Sequence, residues 1–342
     1  MSVGAVSSAT EAVRWAGLAR RNAMRLLIAY DGSDGAKAAI DDLRFASLPE
    51  KVDVAVLAVI DGRRLAKAEA KQVAAGQANP PTPGTMEVCS AVAEEGAERV
   101  RGHFPAWSVA AEVCVGAPAW MIIERAEADG GVDLIVMGSR GFGELKRLLF
   151  GSVAHHVVTQ AKCPVRVGRP PRRPDRGGDH PLRIVLGDDG SPDARAALRS
   201  VASRRWPFGT RILVATFETG VQTQLSSWTP NTVWGGDPIL DPDAVAERPA
   251  LLVAARGAEL LKAMCPGASV TTLVRPHDPK YGLLDMAETW DGSGADCVFV
   301  GATGVRGIER FLVGSVSTTV ALNAPCSVEI VHRRGAEAQP RG

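Results

Sequence analysis

A chain of 342 residues, 46% apolar and 23% charged, is long enough for two soluble globular domains and too long for one of ordinary size. Lys and Arg number 39 against 38 Asp and Glu, a net charge of +1, which argues against a protein that wraps nucleic acid, since such domains are strongly basic. No apolar run approaches the roughly 18 residues of a membrane-spanning helix, and the six cysteines form no Cys-x-x-Cys or Cys/His cluster, so neither a zinc site nor a disulfide framework is expected and the compartment reads as a reducing cytoplasm.

Residues 1–23 are Ala- and Ser-rich, with Glu11 against Arg14, Arg20 and Arg21, and lack the apolar stretch of a secretory signal; they read as a flexible extension. Strands are expected at 25–30, 52–60, 108–114, 133–137 and 164–167, with helices at 34–46, 85–102, 118–128 and 151–161. RPPRRPDRGGDHP, residues 169–181, has no periodicity and reads as a linker. Beyond it the strands recur at 182–187, 211–217, 269–274, 296–300 and 327–331, and the helices at 192–203, 243–263, 280–290 and 314–322, followed by a basic tail, 333–342. Runs such as VDVAVLAVI are almost continuously apolar, which suits a parallel sheet covered on both faces. The expected fold is α/β, with two tandem Rossmann-like doubly wound domains, 24–168 and 182–332, each a five-stranded parallel sheet with about four helices.

The chain repeats itself. Asp31-Gly32-Ser33 recurs as Asp189-Gly190-Ser191, an offset of 158, and each triplet follows a short apolar run and opens an Ala-rich helical stretch. Gly138, Gly141, Gly151, Ser152 and Val153 recur as Gly301, Gly304, Gly314, Ser315 and Val316, an offset of 163. The second copy therefore holds five more residues between its two motifs, and 219–247 is the place for them.

Each copy thus carries Gly-x-x-Gly, nine residues, then Gly-Ser. Glycines at a strand exit let a ligand approach the backbone, and consecutive N–H groups in such a turn make an anion-binding concavity. The Gly-Ser pair opens a helix whose first N–H groups are unpaired and carry partial positive charge, a good seat for phosphate. Asp31 suits a ribose hydroxyl, or a divalent cation that bridges to phosphates. His155 and His156 are adjacent on a helix and point about 100° apart, so they cannot share a ligand as an i, i+4 pair does. His277 and Asp278, each next to a proline, read as a turn.

These motifs, with Gly116-Ala117-Pro118 before the third helix, resemble those of the universal stress protein family, whose ATP-binding branch carries Gly-2x-Gly-9x-Gly-[Ser/Thr] after strand four. The resemblance covers both halves. It implies an adenine nucleotide, ATP with Mg2+, held in copy one by Asp31, Gly32, Ser33, a strand-two position at Val59, and Gly138, Gly141, Gly151, Ser152 and Val153, with Asp31 as the metal contact. In copy two the matching set is Asp189, Gly190, Ser191, Thr216, Gly301, Gly304, Gly314, Ser315 and Val316. It also implies pairing through the last strands, 164–167 against 327–331, inside one chain, and leaves a homodimer open. Copy two departs from the pattern: Pro276-His277-Asp278-Pro279 stands where Gly-x-Pro is expected, Phe217 follows the strand-two position where it would crowd an adenine, and Ser327 replaces Pro164. The implied role is a stress-response sensor or regulator. A slow ATP-hydrolysing enzyme and a nucleotide-free interaction module remain alternatives; there is no Walker lysine motif, His-Glu-x-x-His or nucleophile elbow, and no catalytic residue is assigned.

Overall fold

The protein is described by a computed structural model over residues 23–62, 83–139, 151–172, 181–218, 249–304 and 313–333. In chain order the elements are β1 (Met24–Ala29), α1 (Asp34–Asp42), β2 (Val52–Asp61), α2 (Pro83–His103), β3 (Ser108–Gly116), α3 (Pro118–Glu127), β4 (Leu134–Gly138), α4 (Ser152–Gln160) and β5 (Val165–Gly168). The second copy gives β6 (Arg183–Gly187), α5 (Pro192–Ala202), β7 (Arg211–Glu218), α6 (Pro249–Met264), β8 (Ser269–Pro276), α7 (Pro279–Thr289), β9 (Cys297–Gly301), α8 (Ser315–Asn323) and β10 (Ser327–Val331). The N-terminal extension up to residue 22, the inserted stretch 219–247, most of the linker, the tail beyond Arg333, and Gly141 lie outside the described residues.

Two compact units result, one falling within residues 1–32 and 49–135, the other within 33–48 and 136–342. In the first, β1, β2 and β3 are parallel with β2 in the middle. β2 is buried along nearly its whole length, as its unbroken apolar run requires. Gly96 on α2 makes room for Tyr30 at the end of β1: a Cβ there would stand 2.8 Å from the ring. β4 begins beside β1, where the Arg25 amide donates to the Asp133 carboxylate at 2.8 Å and the Asp133 amide returns a bond to Arg25 O.

The second unit holds all of copy two, with strand order β10-β9-β6-β7-β8 and every pair parallel. That is the doubly wound, Rossmann-like order, with its reversal between β6 and β9. Successive residues of β6 face opposite sides. Leu186 joins a core with Ala197, Val201, Leu261 and Phe299, drawn from α5, α6 and β9, whereas Gly187 faces Leu283 of α7. Helices therefore cover both faces.

The same unit contains α1 and β5 of copy one, because α1 lies directly on β5: a Cβ on Gly168 would come within 2.5 Å of Ala39 Cα. β5 runs antiparallel to β10, with Val167, Arg166 and Val165 opposite Val328, Glu329 and Ile330. This is the last-strand pairing that the family resemblance implies.

A row of charges is buried at this seam. Arg166 and Glu329 are each 1% exposed and meet at 3.1 Å. Asp42 of α1, equally buried, takes the other side of the guanidinium at 2.7 and 2.8 Å. Arg204, just beyond α5, pairs with the far oxygen of Glu329, donates to Ala46 O at 3.0 Å, and lies 4.9 Å from the centre of the Phe299 ring. Burial alone would lower the Arg166 pKa; the Asp42, Cys297 and Glu329 charges reverse that and hold it above its ordinary value. Burial likewise works against an ionised Glu329, and the Arg204 and Arg166 charges overcome it, holding the carboxyl below its usual range.

Candidate functional site

The copy-two motif residues come together at the exits of β6 and β9, in the crevice beside the switch point where open α/β sheets take ligands. The turn after β6 is built by its own acids. The Asp188 carboxylate accepts from the Gly190 amide and the Asp189 carboxylate from the Ser191 amide, both at 2.9 Å, two consecutive Asx turns. Gly190 has φ +75° with Val253 packed against it, a conformation glycine adopts without strain. Burial pushes the Asp188 carboxyl above its ordinary range, opposed by the Gly190 amide.

Ser191 then caps α5, accepting from the Ala194 amide at 3.1 Å, and donates to Thr303 O at 3.1 Å in the loop after β9. Asp193, in the first turn of α5, accepts from the Thr303 amide at 3.0 Å and its hydroxyl at 2.5 Å. The two strand exits are thereby stapled. A Cβ on Gly304 would stand 2.7 Å from an Asp189 carboxylate oxygen, so that acid lies directly over the glycine loop. The loop also returns on itself: the Gly314 amide donates to Ala302 O at 2.7 Å, and the Ser317 hydroxyl to Gly301 O at 2.5 Å. Gly314 opens α8 and brings no side-chain oxygen to it, which leaves the amides of Ser315 and Val316 in the first turn without a helical acceptor. Asp189, Gly304 and Ser315 are exposed, whereas Ser191, Asp193 and Thr216 are buried.

The copy-one residues divide between the units: Asp31, Gly32 and Val59 stand in the first, Ser33, Gly138, Gly151, Ser152 and Val153 in the second. Ser33 caps α1 through the Ala36 amide at 3.2 Å, as Ser191 caps α5. The Gly151 amide donates to Ser139 O at 3.1 Å, the counterpart of the Gly314 bond.

Strand register refines one correspondence. Ala29 lies beside Leu57 and Gly187 beside Ala215, so the counterpart of Val59 is Phe217, and Thr216 matches Ala58. The Phe217 ring rests against Gly282 of α7 and meets His277 edge-on at 6.4 Å. Counted from the helix-opening prolines, Pro118 and Pro279, those two positions are Met121 and Gly116 in copy one, where the Met121 sulfur occupies the space over Gly116. A large side chain on the helix has been exchanged for one on the strand. The Thr216 hydroxyl, 3% exposed, has no hydrogen-bond partner among the described residues.

Other expectations resolve simply. His155 and His156 are both exposed. Asp278 caps α7, accepting from the Lys280 amide at 2.8 Å, so the Pro-flanked pair is a turn. Among the described residues no group of three His, Cys, Asp or Glu side chains could hold a metal, and no helix is long and apolar enough to cross a membrane.

The motif reading missed the cluster around Asp193, which also accepts from the Arg333 amide at 3.1 Å and lies beside His332. The signal was available: by the repeat offset, Asp193 replaces Gly35 and His332 replaces Arg169. Burial depresses the His332 pKa to about 4, with Asp193 opposing, and Nε2 has no partner among the described residues. A buried neutral histidine resists protonation that the unfolded chain accepts. Stability supplied by neutral His332 is thus present above the unfolded value of about 6.5 and declines as pH falls toward 4, by about 2 kcal/mol across that window. Urea unfolding at pH 7 and pH 4.5 should show this loss in the native chain and a smaller one in His332→Gln.

The model of the universal stress protein family matches residues 22–169 and 182–332. This chain therefore belongs to the universal stress protein family and carries its domain twice. Over 99 residues it is 40% identical to a universal stress protein of Methanocaldococcus jannaschii, covering 27% of this chain and 58% of that protein. Over 213 residues it is 30% identical to one of Mycolicibacterium smegmatis, covering 61% and 64% respectively. The chain thus spans less than two thirds of the length of either relative. Its fold matches the crystal structure of a universal stress protein from Archaeoglobus fulgidus with a TM-score of 0.59 at 20% identity, over 91% of this chain and 98% of that one.

Proposed function

We propose that the chain is an ATP-binding tandem universal stress protein that acts as a stress-response sensor or regulator, with domains at 24–168 and 182–332 joined by the linker 169–181. The observation that carries the reading is the convergence of the exposed Asp189 carboxylate, Gly304 and the uncapped start of α8 in one crevice. Phosphate oxygens would accept from the amides of Gly304, Ser315 and Val316 and from the Ser315 hydroxyl. Asp189 accepts only, so it suits a ribose hydroxyl or the Mg2+ that accompanies ATP, and repels bare phosphate. Thr216 offers a buried hydroxyl that still lacks a partner. In the sequence of copy one the counterparts of Asp189, Gly304, Ser315 and Val316 are Asp31, Gly141, Ser152 and Val153. The role proposed is binding.

Mg-ATP at one hundred times its Kd should raise the unfolding temperature by about 5 °C, the expected shift for a ligand that binds only the folded chain. Gly304→Val places side-chain carbon against the Asp189 carboxylate, and combined with Gly141→Val should abolish the shift while leaving the ligand-free transition in place. No shift in the native chain, or an undiminished one in the double variant, overturns the reading.

A further inference from the structure

The seam between β5 and β10 is symmetric in its backbone and antisymmetric in its charge. By the offset of 163, Val165, Arg166 and Val167 are the counterparts of Val328, Glu329 and Ile330. The observed register sets Arg166 opposite Glu329, with Val165 opposite Ile330 and Val167 opposite Val328. The two edges are therefore related by a pseudo-twofold axis through the Arg166–Glu329 pair, and each residue faces the counterpart of its mirror position. An edge built this way pairs equally well, as backbone, with a copy of itself.

The side chains forbid that. By the offset of 158, Asp42 is the counterpart of Ser200 and Ala46 of Arg204. Copy one thus brings an acid and a base, Asp42 and Arg166, and copy two a base and an acid, Arg204 and Glu329. Across the seam the order is Asp42, Arg166, Glu329, Arg204, with signs alternating and each neighbour in contact. In the same register two copy-one edges would set Arg166 against Arg166, and two copy-two edges Glu329 against Glu329, like charges facing each other where no water reaches.

We propose that this charge row makes the seam heterotypic: the β5 edge accepts the copy-two edge of its own chain and excludes a second copy-one edge, and β10 excludes a second copy-two edge in the same way. The partner is selected by repulsion in the wrong pairings as much as by attraction in the right one.

Amide hydrogen exchange at 165–167 and 328–330 in the full chain reads the pairing directly. Asp42→Arg with Arg166→Glu makes both edges present a central acid; Arg204→Glu with Glu329→Arg makes both present a central base. Either half-reversed chain should exchange at these amides on the order of 100-fold faster, as expected when a buried pair is broken. Because all its edges are alike, raising its concentration should restore no protection. The chain carrying all four substitutions recovers an alternating row of opposite sign and should regain most of the protection. Native-level protection in a half-reversed chain, protection that returns with concentration, or a fourfold variant no better than its halves overturns the proposal.

Discussion

Arg166→Met is expected to lower the unfolding free energy by about 3–5 kcal/mol, a large share of the stability of a chain of this kind. Arg166 is 1% exposed and sits between two carboxylates that are as deeply buried. Methionine fills much of the volume but leaves Asp42 facing apolar surroundings without its main counter-charge. Among the described residues, Glu329 keeps Arg204 and Ser200. Uncompensated buried carboxylates either take up protons or drag water into the seam, and both are costly. The midpoint of urea unfolding checks the magnitude. A second comparison separates charge from volume: replacing Asp42, Arg166, Glu329 and Arg204 together by apolar residues of similar size should cost far less than Arg166→Met alone, since no charge is then left unpaired. If the single and fourfold changes are equally damaging, packing and not ionic balance governs the seam.

The same seam shows where reading the chain as a sequence stops. Strand and helix positions were legible because their apolar runs and Ala-rich stretches repeat at a fixed offset, and a pattern seen twice is hard to produce by chance. Arg166, by contrast, lies in a four-residue strand, Val-Arg-Val-Gly, where a single charge reads as the solvent-facing member of an alternating edge. Only the antiparallel partner and α1 turn that edge into an interior. Aligning the copies does reveal Arg166 opposite Glu329 in sign, but a sign difference has no meaning until the two positions are known to touch. The strand-two position shows a different limit. The apparent end of the strand pairs Thr216 with Val59, and strand ends are the least determined feature of a sequence; the ladder, counted from Ala29 and Gly187, pairs Val59 with Phe217. The Phe217 side chain turns toward Gly282 and His277, so two departures of copy two that look independent in sequence, Phe217 and the segment around His277, belong to one compensated repacking.

Gly301→Val is expected to cost about 3 kcal/mol or more, at the upper end of what overpacking produces. Sequence motifs place Gly301 among the ligand-holding glycines, yet its surroundings assign it first to the fold. A Cβ on Gly301 would stand 2.5 Å from the carbonyl carbon of Asp193, and it would meet the Ala194 amide nitrogen as closely. Those are backbone atoms at the start of α5 and cannot swing aside as a long side chain does. Gly138 is in the same position against Gly35 and Ala36, with a Cβ 2.5 Å from Gly35 C. In both copies the fourth strand and the helix after the first strand therefore approach through a glycine, and that closeness is what brings Ser191 within reach of Thr303 O. Valine at 301 must push α5 away from β9, breaking the Ser191 and Asp193 staples to Thr303 and opening the crevice that Asp189 and Gly304 share. Its effect on Mg-ATP binding should therefore appear together with a fall in the ligand-free unfolding temperature, whereas Gly304→Val, aimed at an exposed glycine whose neighbour is the end of a side chain, should affect binding alone. Thermal unfolding of the two variants with and without Mg-ATP separates these outcomes: a Gly301→Val chain with native stability and lost binding would return that glycine to the ligand and take it away from the helix.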